Sequence, residues 1–309
     1  MDVTLRSGRD RVVRIMERPG LWMDAADLAV LTADLRHVAG KTLGAGSLTY
    51  GVFSGDRSQL EATIITLVTL RDGTPIAFNA LVIMTLETQP DPTDVLHLGL
   101  VMVVPDQRLA GLSWVLYGLT CFLLFARNQF RPLWVSNVTQ VPAVVGMVSD
   151  MFSDIWPKPA AGRRTLSHVL LARRIMADHR HVFGAGADAG FDEARFVITN
   201  AYTGGSDDLK KAWENSPKHR DALFNSFCAS ELDYNRGDDL LQLGRMDLPA
   251  FRRYLRREVP KSALAGVILA AGYMALRRLV LPVLYWSDTT RVFSILRPVL
   301  HPGRGPRDV

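Results

Sequence analysis

The residues best placed to do chemistry lie in one stretch, Val103-Val104-Pro105-Asp106-Gln107-Arg108-Leu109-Ala110-Gly111-Leu112-Ser113. An apolar run stops at a proline, a polar turn carries one cation and one glycine, and a second apolar run follows. A diphosphate needs several convergent backbone N–H groups. A helix N-terminus supplies them with a favourable dipole, and glycine lets an anion come close to the main chain. Arg108 would add a charge-assisted contact, and the Ser113 hydroxyl would bond a phosphate oxygen or cap the helix. An ordinary strand-to-helix turn with a surface arginine accounts for the same residues. The glycines at 44, 46, 51 and 55 are followed by no Lys-Ser/Thr pair, which excludes a P-loop, and Gly184, Gly186 and Gly190 follow no convincing strand.

Other reactive side chains are dispersed. His97 lies in an apolar strand and has the pKa range of a general base, although a lone buried histidine also reads as a satisfied core residue. Asn137 would place a polar group on the next strand or cap the helix that starts near Val141. Glu87 and Asp94 stand at loop edges, and Tyr117 reads as packing. Asp233, Asp238 and Asp239 gather beside Arg236 and would bind an amine or form a solvated turn. No metal site is expected: the seven histidines are scattered, and His179 and His181 have neither helical i, i+4 spacing nor nearby cysteines. No Gly-x-Ser-x-Gly elbow supports a serine hydrolase.

Positioning these groups requires a sheet. Ala62 to Leu70 and Pro75 to Leu86 are β-rich runs around Asp72-Gly73, the signature of a hairpin. After the polar loop from Gln89 to Thr93, the nearly continuous apolar run from Val95 to Val104 predicts a central strand covered on both faces. A helix from Leu112 to Arg127, a strand from Trp134 to Asn137 and a helix from Val141 to Phe152 follow. Before all this, residues 1–60 read mainly as helix and loop, with Leu28, Leu31, Leu35 and Val38 forming the apolar face of a helix from Asp24 to Ala39. Arg195 to Asn200 and Leu240 to Met246 would be the last strands, around an insertion of about 201–239 with helical patches at Asp207 to Trp213 and Asp221 to Phe227. The fold class is α/β: a mixed, mostly antiparallel central sheet flanked by helices.

In this order of elements, and in the turn quoted above, the chain resembles the GNAT superfamily of acyl-CoA-dependent N-acyltransferases. In that family a strand splays from its neighbour, and a loop with a Gln/Arg-x-x-Gly-x-Gly/Ala pattern wraps the pyrophosphate of coenzyme A. Arg108 and Gly111 match the first two anchors, while Ser113 replaces the last small residue. The resemblance implies that Leu100, Val101, Met102, Val103 and Val104 offer main-chain groups to the pantetheine arm. It further implies that Gln107, Arg108, Leu109, Ala110, Gly111, Leu112 and Ser113 hold the diphosphate, and that His97 and Asn137 lie near the reacting groups. The family often places a tyrosine acid on the helix after the cleft, and Val141 to Phe152 contains none. The likeness covers about residues 62–157 firmly and extends to about 247; the first 60 residues and the region from 249 to 309 lie outside it.

The charge is unevenly placed. The chain has 309 residues with 36 basic and 31 acidic side chains, 48% apolar and 22% charged, a balance that excludes a disordered tail, a collagen-like repeat and a small disulfide scaffold. From Pro249 onward, eleven Arg/Lys face Glu258, Asp288 and Asp308, so the basic character belongs to this region. Within it, Ala263 to Leu276 and Leu279 to Trp286 are apolar but interrupted by Arg277, Arg278 and Pro282. Joined, they would carry two cations through a bilayer at roughly 2.5 to 3.5 kcal/mol each, which argues against a span. An interfacial or re-entrant hairpin flanked by Arg252, Arg253, Arg256, Arg257, Lys261, Arg277, Arg278 and Arg291 fits an anionic membrane surface. The alternatives are a terminal helix packed on the rest of the chain and a homodimer contact. Nucleic acid is the weaker partner, because the cations alternate with aliphatics rather than with stacking aromatics. Met1 to Trp22 holds no apolar core of a signal peptide, so the sequon at Asn137 carries no expectation of glycosylation. Cys121 and Cys228 read as buried thiols, and the expected location is cytoplasmic, with peripheral membrane association.

The expected activity is transfer of an acyl group, long-chain if the basic region meets lipid, from acyl-CoA or acyl carrier protein to a small-molecule amine, without a metal. The competing expectation is a non-catalytic acyl-CoA-fold sensor or partner-binding protein at a membrane.

Overall fold

The computed structural model describes residues 2–8, 10–43, 51–88, 91–108, 111–112, 114–159 and 162–290. Val3, Leu5, Val13 and Ile15 alternate with polar residues, the period of a half-covered strand. The chain accordingly opens as an antiparallel hairpin of β1 (Asp2–Ser7) and β2 (Arg11–Glu17). The expectation of mainly helix and loop over residues 1–60 did not include this hairpin. Arg6 is exposed, and Arg11 and Arg14 are half-buried, on an edge hairpin, where charge is at home.

A short α1 (Pro19–Trp22) precedes α2 (Ala25–Leu43), which buries Leu28, Leu31, Leu35 and Val38 as their spacing requires. The hairpin of β3 (Thr63–Leu70) and β4 (Pro75–Leu86) closes through Gly73 at φ +90°, a conformation glycine adopts without strain. Then come β5 (Thr93–Val103), a π-helical turn over Trp114–Leu119 that runs into α3 (Thr120–Arg127), β6 (Leu133–Thr139), α4 (Pro142–Met151) and β7 (Ser153–Trp156). The chain continues with α5 (Leu166–Asp178), β8 (Gly190–Asp192), β9 (Val197–Thr199), α6 (Ala222–Glu231), β10 (Asp239–Met246), α7 (Leu248–Arg257) and α8 (Lys261–Thr290). The predicted strand over Arg195 to Asn200 is thus confined to three residues, and the helical patch at Asp207 to Trp213 is reduced to short 3-10 turns.

Among the described residues ten strands form one sheet in the order β1-β2-β3-β4-β5-β6-β10-β9-β8, with β7 also pairing to β10. Every pairing is antiparallel except β5 with β6. The architecture is therefore α/β with a mixed, mostly antiparallel sheet between helical layers. Successive residues of a strand point to opposite faces, so two contacts locate the layers. Thr66 meets Thr120 of α3 (Oγ1 to Oγ1 2.6 Å), and Phe78 meets Phe53, whose carbonyl accepts from Arg36 of α2. In the β3–β4 register Thr66 faces Asn79, the neighbour of Phe78, so α3 and α2 cover opposite faces.

The described part of the basic region forms α7 and α8, and the two apolar runs expected to make a hairpin lie in the single helix α8. Phe251 of α7 stacks on Phe122 at 4.8 Å between centroids, and Tyr254 donates to the Trp114 carbonyl over 3.0 Å. Gly118 makes room for this: a Cβ there would lie 2.0 Å from the Tyr254 ring. The first half of α8 packs on α3 and buries Val267, Ala271 and Ala275. Leu269, Tyr273, Leu276, Val280 and Val283 form an exposed apolar stripe along the rest. Among the described residues no helix is long and apolar enough to cross a membrane. Arg291 lies outside the described residues.

Candidate functional site

The one parallel pairing ends early. Val95 pairs with Trp134, Leu96 with Val135 and His97 with Ser136, and there the ladder between β5 and β6 stops while both strands run on. Beyond this rung residues 100–103 of β5 pair with β4 only, and 137–139 of β6 pair with β10. The result is a wedge between two neighbouring strands whose facing N–H and C=O groups have no ladder partner in each other, an arrangement that calls for water or a ligand. A register shift in β4–β5 between Ala80 and Val82 bends β5 where the wedge opens. Gly99 sits at that bend: a Cβ there would lie 2.2 Å from the Ala80 carbonyl oxygen.

At the end of β5 the chain turns sharply. Val104 donates to the Ile76 carbonyl (3.0 Å), Pro105–Gln107 form a 3-10 turn, and Arg108 is exposed. Gly111 adopts φ +69° with no atom within 4 Å of where a Cβ would stand, so the main chain is open to an approaching group. Leu112 is buried, and its carbonyl accepts from Val115 and Leu116 at the start of the helical run through Trp114 to Arg127. The helix expected from about Leu112 is present, with its opening turn π-helical, a form often found at functional sites. Leu109, Ala110 and Ser113 lie outside the described residues.

The two candidate catalytic residues are not brought together. His97 is 3% exposed, its Nδ1 lies 3.1 Å from Ser136 Oγ, and its ring tilts against Phe183. Burial pushes its pKa down to about 4, so the imidazole is neutral near neutral pH. Asn137, next to Ser136, faces the opposite side of the sheet and donates to Gln242 Oε1 over 3.2 Å. It does not cap α4: Thr139 Oγ1 accepts from the Val141 N–H instead, and Asn137 is too far back along an extended strand. Tyr117 is half-buried against the core, and burial raises its phenol to about 12. Leu100, Val101 and Val103 are partly buried along the wedge strand, while Met102 and Val104 are buried.

A polar group that the sequence analysis only grazed lies at the far end of β6. Because β10 runs antiparallel to β6, Asp239 at its start stands beside Gln140, one residue beyond Leu240↔Thr139. Tyr202 Oη donates to Asp239 Oδ1 (2.9 Å), and Tyr234 Oη donates to the Gln140 carbonyl (2.7 Å). With its amide oriented to satisfy both ends, Gln140 also places its side-chain oxygen 2.8 Å from Tyr202 Oη. Asp239 is 5% exposed, and burial, reinforced by neighbouring Asp238, raises its pKa to about 7 against the Tyr202 hydrogen bond. Asp238 is fully buried too, paired to Arg236 at 2.7 Å, so these two aspartates are not the solvated turn that one reading allowed; Asp233 alone is exposed. The tyrosines were the missed signal, because each is separated from its partner by tens of residues.

Cys121 and Cys228 are both buried free thiols. Among the described residues no group of three His, Cys, Asp or Glu could hold a metal. No family model and no curated protein matches this chain.

Proposed function

We propose that this protein is an N-acyltransferase of the GNAT kind, moving an acyl group from acyl-CoA or acyl carrier protein to an amine. The observation that carries the reading is the wedge between β5 and β6, with the open Gly111 turn and a helix start at the end of the same strand. The amide groups of a pantetheine arm are the natural partners for unladdered main-chain groups, and the turn suits the diphosphate at the end of that arm. Attack by the amine forms an N–C bond at the thioester carbonyl, breaks the C–S bond and leaves one proton to be taken from nitrogen and one needed by the thiolate. Both groups are buried, and Asp239, with its pKa raised to about 7 and Tyr202 on one oxygen, suits proton acceptance near neutrality better than His97, whose pKa burial pushes down to about 4. The exposed stripe of α8 and the basic residues around it support a peripheral position on a cytoplasmic membrane face and a lipid-like substrate.

The test is calorimetric titration with coenzyme A, acetyl-CoA and palmitoyl-CoA, beside Arg108→Glu. Binding weakened about tenfold or more in the variant supports the turn as the diphosphate site, and preference for palmitoyl-CoA points to long-chain transfer. No binding of any of the three leaves a carrier-protein donor or a cofactor-free scaffold. The second reading, a non-catalytic acyl-CoA sensor, is favoured by the enclosure of His97 and the absence of tyrosine on α4. Coenzyme A binding without turnover across amine acceptors would establish it.

A further inference from the structure

The two edges of the sheet are built differently. At one, β8 has three residues and includes Gly190; at the other, β1 has six, paired to β2 without a register shift. An edge strand offers a row of unpaired N–H and C=O groups, and proteins ordinarily blunt it with a proline, a bulge or charge. β1 contains neither proline nor bulge, and among the described residues no strand lies beyond it. Its faces differ: Asp2, Thr4 and Arg6 are exposed, whereas Val3 and Leu5 are half-buried and pack on the core. Val3 pairs with Ile15 and Ile15 with Thr66, the residue that meets Thr120, so Val3 and Leu5 lie on the face covered by α3. That apolar face breaks off at the edge.

The charges on β1 do not repel a second strand of the same sequence. A two-fold axis perpendicular to the sheet brings two copies of β1 together antiparallel and keeps each face on its own side, so directly opposed residues belong to the same face. Of the alignments this allows, the one centred on Thr4 sets Asp2 opposite Arg6 of the second copy, Val3 opposite Leu5 of the second copy, and the converse pairs beyond Thr4. Among the described residues Arg6 has no ion pair. Asp2 accepts one bond on each oxygen from Arg14, at 3.0 Å from Nε and 2.8 Å from Nη2, which leaves lone pairs for a second cation. We propose that β1 is a self-association edge, where a second copy of this chain adds its own β1 about a two-fold at Thr4 and carries one sheet through both molecules. Two Asp2–Arg6 pairs then close one face and two Val3–Leu5 contacts continue the other. The inference is independent of the acyl-transfer reading. Because the axis is perpendicular to the sheet, α3 and the α8 packed on it lie on one side of the joined sheet in both copies.

Pairing of strands this short makes a small interface, so association is weak and concentration-dependent. The experiment is sedimentation velocity on the full chain, at loadings from about 1 to about 300 µM, for wild type, Arg6→Asp and the double reversal Asp2→Arg/Arg6→Asp. Both side chains are exposed, so the variants keep the fold. The expected result is a wild-type monomer–dimer equilibrium. Arg6→Asp, which sets like charges opposite each other twice per dimer, weakens it about tenfold or more, and the double reversal restores it. A wild type that stays monomeric over the whole range overturns the proposal. Dimerisation unchanged in Arg6→Asp overturns it too and places the contact elsewhere, on α8 if Leu269→Glu/Leu276→Glu abolishes it. Loss in Arg6→Asp without recovery in the double reversal overturns the two-fold register.

Discussion

Tyr202 Oη and Asp239 Oδ1 lie 2.9 Å apart, joining a loop before α6 to the first residue of β10 and enclosing a carboxyl whose pKa is raised to about 7. An acid held protonated up to neutrality by burial is the environment in which a carboxyl both takes and returns a proton near physiological pH.

The same group makes stability depend on pH. The folded-state pKa lies above the unfolded one, so the native chain binds the extra proton between about pH 4 and about pH 7. Asp239's contribution is therefore most favourable below about pH 4 and is lost as pH rises towards 7, at up to roughly 1.4 kcal/mol per pH unit. Asp239→Asn removes that slope, and the variant gains on wild type as pH rises from 5 to 8 in urea melts. Parallel wild-type and variant curves would show that Asp239 is ionised throughout. If Asp239 is also the proton acceptor, the variant loses the rise in kcat/KM near pH 7.

Glu17 and Arg127 tie β2 to the end of α3. Burial pushes the Glu17 pKa up, but the Arg127 guanidinium, bound to both carboxylate oxygens, outweighs it and holds the group at about 2. This stabilisation is present above about pH 4.5 and is lost as pH falls towards 2. Glu17→Gln should cost about 1–3 kcal/mol at pH 7, the lower end reflecting the partial exposure of Arg127, and little at pH 2. A cost unchanged at pH 2 would assign it to packing.

At Gly99 a methyl group meets backbone, not a movable side chain. Gly99→Ala is expected to lower the urea midpoint by about 1–3 kcal/mol in stability and to weaken coenzyme A binding, because relief of the clash with the Ala80 carbonyl must shift β5 at the wedge. Wild-type stability and binding in the variant would mean that the bend relaxes freely.

The α8 stripe is tested with Leu269→Glu/Leu276→Glu, two positions that are 74% and 57% exposed. The expected outcome is loss of flotation with vesicles containing anionic phospholipid, with folding stability changed by no more than about 0.5 kcal/mol. Unchanged flotation removes the lipid role. A wild-type chain that sediments as a dimer, and a variant that does not, would assign the stripe to a second copy.

The central sheet was legible because its signals are local. Asp72-Gly73 forces a tight turn, and the unbroken apolar run before Pro105 requires a strand covered on both faces. The hairpin β1–β2 was hidden because its alternation is short and Arg6, Arg11 and Arg14 interrupt its apolar residues. Burial of Asp238 and Asp239 was illegible for another reason. Their neighbours in sequence are Arg236 and Gly237, and what encloses Asp239 comes from Tyr202 and from strand pairing with β6, which no window of local sequence contains. His97 and Asn137 were read as near neighbours of one cleft. The one-residue offset of Ser136 decides that they face apart, and it depends on register.

The grip of Tyr254 on the Trp114 carbonyl, with the first half of α8 packed along α3, makes this part of the basic region an outrigger fastened to the sheet layer rather than a tether. A flexible leash would let the sheet tumble over whatever surface it was tied to. With the helix locked to the run that opens at Gly111, a surface holding the α8 stripe would instead fix the tilt of the molecule and the height of the wedge above it, leaving rotation about the surface normal as the main remaining freedom.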